Sequence, residues 1–573
     1  MKHGKILAIV SAFSLTSMIM TSTAAYSLQH SVSDIVELKN ALHRVDVLSD
    51  GDDFNADGTV NVVDLHNLKN QIIADSNADT GVVSDSSYAA TTDYVKLQGR
   101  NYIDGDITWL VQSGSAAEFI VTANSAEVEL AGNIGIGSSV DYQPRYAVYV
   151  DDELLTDATL GTESLTVPLW QGDTSRTGKV KVILLSEAMY GGVGVRSINV
   201  SSSAAVPVRP MAANDLRIEF IGDSITCAYG VEGASSSESF KTTTENFTKS
   251  YAYLTAKQLN ADYSVCSYSG HGIVSGYSSG DKNADSLIPD YYEITSKHYS
   301  QPWDFTALPS DVVVINLGTN DINYVTADSE SRSDEFVQGY IDFLTSVRKN
   351  NPDAYIICTL GTMGGNDSIC PLIEQAVTQF KSETGEERIM YYESITQSQA
   401  DGYGSDWHPS PVTQQNSAYV LADKICQALG MESSQIGLDM ASDATYEMVI
   451  DPDSGANASH YVGYDKSFWI NMVIGGAEPS AIEARLSGIA LKEGGEYRLS
   501  FDYTTSLDKE VPVLVRGTDT YFSDTVSGTS ASQSYEAEFT VKSSDNDAMI
   551  VFQIGGLDYY NVTLKNIKLV KIK

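Results

Sequence analysis

The sequence predicts a chain of several domains, with an α/β/α domain built on a parallel sheet between two antiparallel β-sandwiches and a small helical module at the amino terminus. Three observations predict this fold class. The 573 residues are too many for one hydrophobic core and suggest about three to five domains. Short apolar runs alternate with helical patterns in the middle of the chain. Regularly spaced short β patterns precede and follow that region.

The first 25 residues have the pattern of a secretory signal peptide. Lys2 and Lys5 precede an apolar stretch that ends in small residues before Tyr26. A membrane anchor needs about 20 uninterrupted apolar residues, whereas serines and threonines interrupt this stretch. We therefore expect a secreted protein.

Composition narrows the partners that the protein can have. The chain has 36 Lys and Arg residues against 75 Asp and Glu residues, a formal net charge of −39. Such acidity argues against nucleic acid and anionic membrane as partners. The five cysteines form an odd, sparse set that is not a disulfide framework, so we expect buried free thiols. They are Cys227, Cys266, Cys358, Cys370 and Cys426.

Residues 26–78 contain an internal repeat and one calcium-loop pattern. The segment 31–42 aligns with 61–72 at a spacing of 30 residues. Just before and into the second copy, oxygen-bearing residues occupy positions 1, 3, 5, 7, 9 and 12 of an EF-hand-type loop, and Gly58 occupies position 6, where the chain turns sharply. The predicted Ca²⁺ ligands are Asp53, Asn55, Asp57, Thr59 (through its carbonyl), Asn61 and Asp64.

An aspartate at the last loop position makes this segment resemble the dockerin modules. In the first copy the corresponding positions hold Thr23, Ala25 and Ser27, so the resemblance implies one structural Ca²⁺. Dockerins bind cohesins of scaffolding proteins. The resemblance therefore implies a cohesin partner and a place in an extracellular or cell-surface complex of a bacterium that degrades plant cell wall. The polar stretch 79–87 is predicted to be a linker.

Residues 88–205 change to short alternating runs separated by Gly, Asp and Ser, which predicts an antiparallel β-sandwich. Proline-flanked residues follow at 207–210, within a second predicted linker at 206–215.

Three short strings in residues 216–430 carry the chemistry. Ser224 follows a buried-strand pattern at 218–221, and Asn320 follows another at 312–318. Ligands bind beyond the carboxyl ends of parallel strands. A serine nucleophile needs a base, for which His408 is the candidate, and the amide of Asn320 suits stabilisation of an oxyanion.

The ordered strings GDSIT, SGHG, GTND and DWHPS resemble the blocks of the SGNH hydrolase superfamily. The resemblance makes Ser224 the nucleophile, His408 the general base and acid, and Gly270 and Asn320 oxyanion donors, with Gly272 as second choice for the glycine. His271 is interpreted as a loop histidine. Many members place an aspartate three residues before the histidine. Here Ser405 holds that position and Asp406 follows it, so either Asp406 or a backbone carbonyl orients the histidine.

A β jelly roll directly before such a domain resembles carbohydrate esterase family 2, and GRNY at Gly99, SGS at Ser113, YVDDE at Tyr149 and the DWHPS block are local matches. The resemblance implies removal of acetyl groups from plant polysaccharide, with a preference for 6-O-acetyl groups on hexoses and activity on acetylated xylan and mannan. It implies no cofactor for catalysis.

The rest of the chain supplies core elements and a second sandwich. A helical apolar stripe covers 334–349, and two strands are predicted at 354–361 and 388–394. Residues 431–573 contain five further strand patterns and resemble the β-sandwich carbohydrate-binding modules. Aromatic rings stack on apolar sugar faces. The candidates for such a platform are Trp469, Tyr503, Tyr521, Tyr559 and Tyr560.

Two function classes follow. The first is a secreted serine esterase with an acyl-enzyme mechanism. The second is a non-catalytic carbohydrate-binding or adhesion protein of a fibre-degrading complex that retains the fold. The presence of all four block residues favours the esterase, because binding alone does not require them. The predicted segments are a signal peptide at 1–25, the dockerin-like module at 26–78, linkers at 79–87 and 206–215, the jelly roll at 88–205, the hydrolase domain at 216–430 and the second sandwich at 431–573.

Overall fold

The structure is a computed structural model that describes residues 79–442, 444–463 and 466–573. The signal-peptide and dockerin-like predictions, with the six Ca²⁺ ligands, lie outside these residues. The described residues up to Met431 form one compact unit, and Glu432–Lys573 form a second. This division falls one residue from the boundary that the sequence predicts. No helix among the described residues is long and apolar enough to cross a membrane.

The first unit begins with the β-rich domain that the sequence predicts as a β-sandwich, and its ten strands form one antiparallel sheet. Its core contains Leu110, Phe119, Val128, Tyr146 and Val182, all of them buried. The long strands β5 and β8 pair over most of their length, and β5 also pairs with β9. The strands are β1 (Asp79–Ala89), β2 (Lys96–Gln98), β3 (Asn101–Asp104), β4 (Ile107–Leu110), β5 (Ala116–Ala131), β6 (Arg145–Val150), β7 (Glu153–Thr159), β8 (Ser164–Leu184), β9 (Val193–Ala204) and β10 (Val208–Pro210).

Two segments predicted as linkers form strands instead. Residues 79–87 belong to β1, which pairs antiparallel with β9. β10 lies within 206–215 and pairs with β5. In both cases the backbone of a polar or proline-containing segment pairs with a strand that is distant in sequence. The composition of the segment does not reveal that pairing.

The predicted parallel sheet is confirmed. Five strands run in the order β12-β11-β15-β16-β17, and every neighbouring pair is parallel. Its strands are β11 (Leu216–Gly222), β12 (Ala261–Ser267), β15 (Val312–Asn316), β16 (Tyr355–Leu360) and β17 (Ile389–Glu393), and the hairpin β13 (Ile294–Ser296) and β14 (Tyr299–Pro302) lies outside it. β11 lies between β12 and β15, so the strand order reverses there, and the crevice at such a switch point is where ligands bind.

Helices cover both faces of this sheet. One face packs Ile221 and Ile315 against Phe336 and Leu344, which belong to the predicted helix. The other packs Phe220 and Val314 with a second set of helices. The helices are α1 (Ser224–Cys227), α2 (Tyr251–Gln258), α3 (Pro289–Tyr292), α4 (Ile322–Ala327), α5 (Ser329–Asn350), α6 (Cys370–Thr384) and α7 (Pro411–Leu429).

Buried polar contacts join the β-sandwich to the α/β domain. Arg100 and Glu219 form an ion pair with side chains almost fully buried, 2.9 Å between Nη2 and Oε1. Arg145 donates to Glu232 at 2.7 Å. The five cysteines are buried and form no disulfide bonds, as predicted.

The second unit is a sandwich of two five-stranded antiparallel sheets. One has the order β18-β21-β26-β23-β24 and the other β19-β20-β27-β22-β25. The five strand patterns predicted here are confirmed as β22, β23, β25, β26 and β27. The strands are β18 (Thr445–Ile450), β19 (Asn457–Val462), β20 (Phe468–Ile474), β21 (Ile482–Leu491), β22 (Glu496–Thr505), β23 (Lys509–Arg516), β24 (Thr520–Gly528), β25 (Gln533–Thr540), β26 (Asp545–Gln553) and β27 (Asn561–Lys571).

Candidate active site

Ser224 lies where β11 ends and the short helix α1 begins. Asp223 caps this helix, and its Oδ1 accepts the Ile225 N–H at 3.0 Å. Gly222 just before it has no room for a side chain, because a Cβ there would collide with Thr226. The serine is 6 % exposed. A tight strand-to-helix turn therefore presents its hydroxyl at the carboxyl edge of the sheet.

His408 contacts that hydroxyl. Its Nε2 lies 2.9 Å from Ser224 Oγ, and its Nδ1 lies 3.2 Å from each of the backbone carbonyl oxygens of Ser405 and Asp406. Carbonyl oxygens only accept hydrogen bonds, so this network assigns the proton to Nδ1 and leaves Nε2 free to accept from the serine. Burial lowers the pKa of His408 to about 4, which keeps the imidazole neutral above that pH.

The structure brings Asp406 to the histidine, but through its backbone. Its carboxylate accepts the Tyr229 O–H and the Phe240 N–H, each at 3.0 Å. Asp406 has φ +49° and Trp407 has φ +65°, so the chain makes a left-handed turn just before His408. This turn directs the Asp406 carbonyl toward Nδ1. Of the two alternatives that the sequence leaves open for orienting His408, this geometry favours the dyad supported by backbone carbonyls, because the Asp406 carboxylate is bonded to Tyr229 and Phe240.

Gly270 occupies the third position of a tight turn. The Tyr268 carbonyl accepts the His271 N–H at 3.3 Å, and Gly270 has φ +76°, which the third position of a type II turn requires. A Cβ at this position would meet nothing within 4 Å, so the space above it is open. The Tyr277 N–H holds the Gly270 carbonyl at 2.8 Å. This geometry suits a main-chain donor that faces an incoming carbonyl.

Gly272 does not suit that role. Its N–H already donates to the Ser286 carbonyl at 3.1 Å. A Cβ there would also collide with the Ser275 carbonyl. Between the two glycines, His271 is buried, and its Nδ1 lies 3.0 Å from the Ser269 carbonyl oxygen. The described contacts of His271 thus agree with the predicted loop role.

Asn320 follows β15 and reaches the same edge. Its Nδ2 donates to the His271 carbonyl at 2.8 Å and lies 3.3 Å from Asp223 Oδ2. The next residue, Asp321, accepts the backbone N–H groups of Ile273, Val274 and Ser275. Burial raises the pKa of Asp321 to about 6, against the lowering effect of those bonds. The GTND segment therefore supplies an amide and also fixes the loop that follows Gly270.

The histidine rests on a stack of aromatic rings that the sequence motifs did not indicate. The Tyr229 ring lies 4.2 Å from the His408 ring and 4.1 Å from Phe240. Phe240 in turn stacks at 5.3 Å on Tyr190 of the β-sandwich. These residues are far apart in sequence, so no local pattern joins them.

Two exposed aromatic side chains flank the site. Trp407 precedes His408 and is 60 % exposed, and Tyr277, whose N–H holds Gly270, is 68 % exposed. The Trp407 ring lies 5.2 Å from Tyr403. Large exposed rings beside a partly buried dyad are suited to stacking on a flat apolar ligand face. Within the described residues, no group of three or more His, Cys, Asp or Glu side chains is arranged to hold a metal ion.

In the second unit, a cleft of about 630 Å³ lies on the sheet that contains β19, β20 and β27. Tyr461 and Trp469 pair across β19 and β20, are 61 % and 48 % exposed, and line this cleft. Ser459, Asn471 and Asn561 form a polar row beside them. Of the aromatic candidates, Trp469 and Tyr559 are exposed, whereas Tyr503 and Tyr560 are buried in the core.

Comparison with known proteins identifies the class to which the site belongs. Residues 220–423 match the GDSL-like Lipase/Acylhydrolase family. The cellulase/esterase CelE of Acetivibrio thermocellus is 34 % identical over 288 residues, which cover 50 % of this chain and 34 % of CelE. The chain thus spans about a third of the length of that relative. An acetylxylan esterase / glucomannan deacetylase of Cellvibrio japonicus is 24 % identical over 338 residues, 58 % of this chain and 89 % of that protein.

One solved structure is also similar to this chain. It is a family two carbohydrate esterase from Clostridium thermocellum in complex with cellohexaose, 31 % identical, with a TM-score of 0.52, and the match covers 59 % of this chain and 99 % of that one. Residues 220–423 thus match the GDSL-like Lipase/Acylhydrolase family, and the proteins to which the chain is similar include family 2 carbohydrate esterases.

Proposed function

We propose that the protein is a serine-type acetyl esterase that removes O-acetyl groups from plant polysaccharide. The observation that carries the proposal is the 2.9 Å contact between Ser224 Oγ and the neutral imidazole of His408. A hydroxyl that shares its proton with a neutral imidazole is prepared to attack an ester carbonyl. The carbohydrate esterase homologues support the same reaction class.

The reaction proceeds through an acetyl-serine. Ser224 Oγ bonds to the acetyl carbon while its proton passes to His408 Nε2. The carbonyl oxygen becomes an oxyanion that accepts hydrogen bonds from the Ser224 and Gly270 N–H groups and from the Asn320 amide. The bond to the sugar oxygen then breaks, and His408 gives its proton to that oxygen. Water repeats the sequence on the acetyl-serine and releases acetate.

The histidine acts as one member of a dyad. As His408 gains a proton, Nδ1–H donates to the Ser405 and Asp406 carbonyls, which stabilise the imidazolium and fix the ring. The proposed chemistry uses side chains and main-chain amides of this chain alone, without a cofactor.

The substrate class follows from the surroundings of the dyad. Trp407 and Tyr277 offer exposed rings to a sugar chain next to the nucleophile. The resemblance to carbohydrate esterase family 2 favours 6-O-acetyl groups on hexoses, in xylan- and mannan-type polysaccharides. The high exposure of both rings favours a polymer that lies across an open site over a small ester enclosed in a pocket.

We also propose that the second unit binds polysaccharide through the cleft formed around Tyr461 and Trp469. A pair of exposed aromatic rings beside a row of amides and hydroxyls matches the two kinds of surface that a pyranose presents. In the full chain, Trp469→Ala should weaken binding to insoluble glucomannan by about fivefold or more, since ring contacts contribute about 1 kcal/mol beyond burial. Tyr559→Ala is the matched control, because Tyr559 is exposed but lies outside the cleft. Equal losses in the two variants would contradict the assignment.

The proposal also includes the function of the amino-terminal residues. We propose that the protein is secreted and that its dockerin-like segment binds one Ca²⁺ and a cohesin of a scaffolding protein. The loop sequence from Asp53 to Asp64 supports this part.

Hydrolysis of 4-nitrophenyl acetate and deacetylation of acetylated glucomannan test the esterase function. Wild type should release acetate from both, and Ser224→Ala should lose about 10⁴-fold or more in kcat. Both proteins are first compared by circular dichroism, so that a folding defect is not mistaken for lost chemistry. Wild-type activity no higher than that of the variant would leave the non-catalytic binding function as the better account.

A further inference from the structure

We infer that the β-sandwich of the first unit is a working part of the hydrolytic site, because its Glu187 positions the turn that presents the Gly270 N–H to the oxyanion. The inference rests on the esterase function proposed above and assigns a positioning residue outside the α/β domain.

Glu187 contacts the turn directly. It lies in the connection between β8 and β9, is 1 % exposed, and its Oε2 accepts the Ser269 N–H at 2.9 Å. Ser269 is the second residue of the turn in which Gly270 is the third. A rotation of the Ser269–Gly270 peptide would move the Gly270 N–H away from the substrate. The carboxylate thus restrains the residue just before the donor, and the Tyr277 N–H restrains the donor residue at its carbonyl.

Glu187 is itself held on both sides. Its own N–H donates to Glu245 Oε2 at 2.9 Å. The Leu185 carbonyl accepts the Phe247 N–H at 3.0 Å, and Ser186 Oγ accepts the Arg145 N–H at 2.9 Å. Arg145 also donates to the Glu245 carbonyl at 3.1 Å. This network attaches the β8–β9 connection to the α/β domain. The backbone of Glu187 is therefore held in place, and its side chain can restrain the turn.

The buried charges around Glu187 are compatible with this role. Burial raises the pKa of both glutamates, and the neighbouring carboxylate raises that of Glu245 further, which favours a neutral Glu245. A neutral Glu245 still accepts the Glu187 N–H without adding a second negative charge. Lys297 and the Ser269 bonds oppose only part of the effect of burial, so the pKa of Glu187 stays raised, but a carboxyl oxygen can accept the Ser269 N–H in either protonation state.

A second contact with strand β12 allows positioning of the oxyanion donor to be distinguished from simple attachment of the β-sandwich to the α/β domain. Gln98 of the sandwich accepts the Tyr263 N–H at 3.2 Å near the start of β12. Glu187 accepts an N–H just beyond the end of β12, at the active-site edge. Both side chains are buried sandwich residues that accept a backbone N–H of the α/β domain. They differ in whether the restrained amide adjoins the oxyanion donor.

The experiment compares Glu187→Leu with Gln98→Leu in the full chain on 4-nitrophenyl acetate. Glu187→Leu removes the acceptor and should lower kcat by about 10²-fold with KM nearly unchanged, because the affected contact is made in the transition state. Gln98→Leu should keep kcat within about threefold of wild type. Glu187→Gln retains an acceptor oxygen and should recover most of the lost kcat.

Three results would overturn the inference: an unchanged kcat in Glu187→Leu, equal kcat losses in Glu187→Leu and Gln98→Leu, or no recovery in Glu187→Gln. Thermal unfolding of each variant separates loss of structure from loss of positioning. If Glu187→Leu does not fold, Glu187→Asp keeps the carboxyl group but withdraws it by one methylene, and the same kcat loss is expected. Active wild type with an inactive Ser224→Ala and a fully active Glu187→Leu would refute the inference alone, whereas inactive wild type would refute the proposed function.

Discussion

The two halves of the candidate site are held in place by different means. In the nucleophile half, Ser224 and Asn320 follow buried parallel strands, and carboxylates such as Asp321 hold the main chain around them. In the base half, His408 follows an irregular segment with two left-handed residues, and main-chain carbonyls hold the side chain. One half uses side chains to fix the backbone, and the other uses the backbone to fix a side chain.

This difference indicates where each half is vulnerable to substitution. Changes in the carboxylates of the nucleophile half remove acceptors for buried N–H groups, which is costly. In the base half, the orienting groups are carbonyls that every residue type carries. We therefore expect that half to depend less on the Asp406 side chain than on His408 itself and on the Tyr229 ring that lies against it.

The largest expected effect is that of His408→Ala, the only side chain of the base half that takes part in proton transfer. Its kcat on 4-nitrophenyl acetate should fall about 10⁴- to 10⁶-fold. The exposed histidine of the first unit, His298, supplies the control, and His298→Ala should retain activity. A His408→Ala variant within tenfold of wild type would disprove the dyad.

Asn320→Ala probes the nucleophile half. Removal of one oxyanion donor should lower kcat about 10²- to 10³-fold and leave KM largely unchanged. Asn350 at the end of α5 is a suitable control, since the contacts of its amide within the described part of the chain are with Glu293 and Ser346. A rise in KM with constant kcat would instead assign Asn320 to ground-state binding.

Asp321→Ala and Asp406→Ala make the same substitution in the two halves of the site, Asp321 in the nucleophile half and Asp406 in the base half. Asp321→Ala leaves three buried N–H groups without acceptors and should cost on the order of 3 kcal/mol of unfolding free energy, with a clear loss of kcat. Asp406→Ala should change kcat by less than about tenfold, far from the 10⁴-fold loss seen when a triad aspartate is removed. Urea unfolding and kcat are measured on both variants. A loss near 10⁴-fold in Asp406→Ala would restore the triad.

The pH dependence sharpens the description of the base half. Burial lowers the pKa of His408 to about 4, and the deprotonated form is the base. Activity should therefore be full at neutral pH and decline as the pH falls through about 4, instead of near 6.5 as for a solvent-exposed histidine. The test is kcat/KM for 4-nitrophenyl acetate from about pH 3 to about pH 8, in the range where the fold persists by circular dichroism. An acid limb near 6.5 would contradict the desolvated histidine.

The nucleophile half was predictable because its signals are local. A buried strand, a turn and a polar residue are adjacent in the sequence at Ser224 and at Asn320, and parallel strands bring their carboxyl ends together. The choice of Gly270 over Gly272 came from the family resemblance, and the structure supplies the physical reason in the N–H that Gly272 already donates.

The parts that sequence reasoning missed depend on contacts between distant segments. Glu187 and Tyr190 reach the site from another domain, and no spacing pattern links them to Ser269 or Phe240. The orientation of the Asp406 carbonyl depends on left-handed φ angles at both Asp406 and Trp407, which no local sequence pattern indicated. In the second unit, strand alternation places Tyr503 inside and Trp469 outside, which composition alone did not distinguish.

The five cysteines, which are buried and form no disulfide bonds, have a practical consequence for experiments on this protein. Burial raises the pKa of all five thiols, so little reactive thiolate is present at neutral pH. These five residues therefore contribute no disulfide cross-links to the first unit. A single cysteine introduced on the surface near Trp407 would therefore be the preferred target of a fluorescent maleimide, and would report on binding of the proposed polysaccharide substrate beside the dyad.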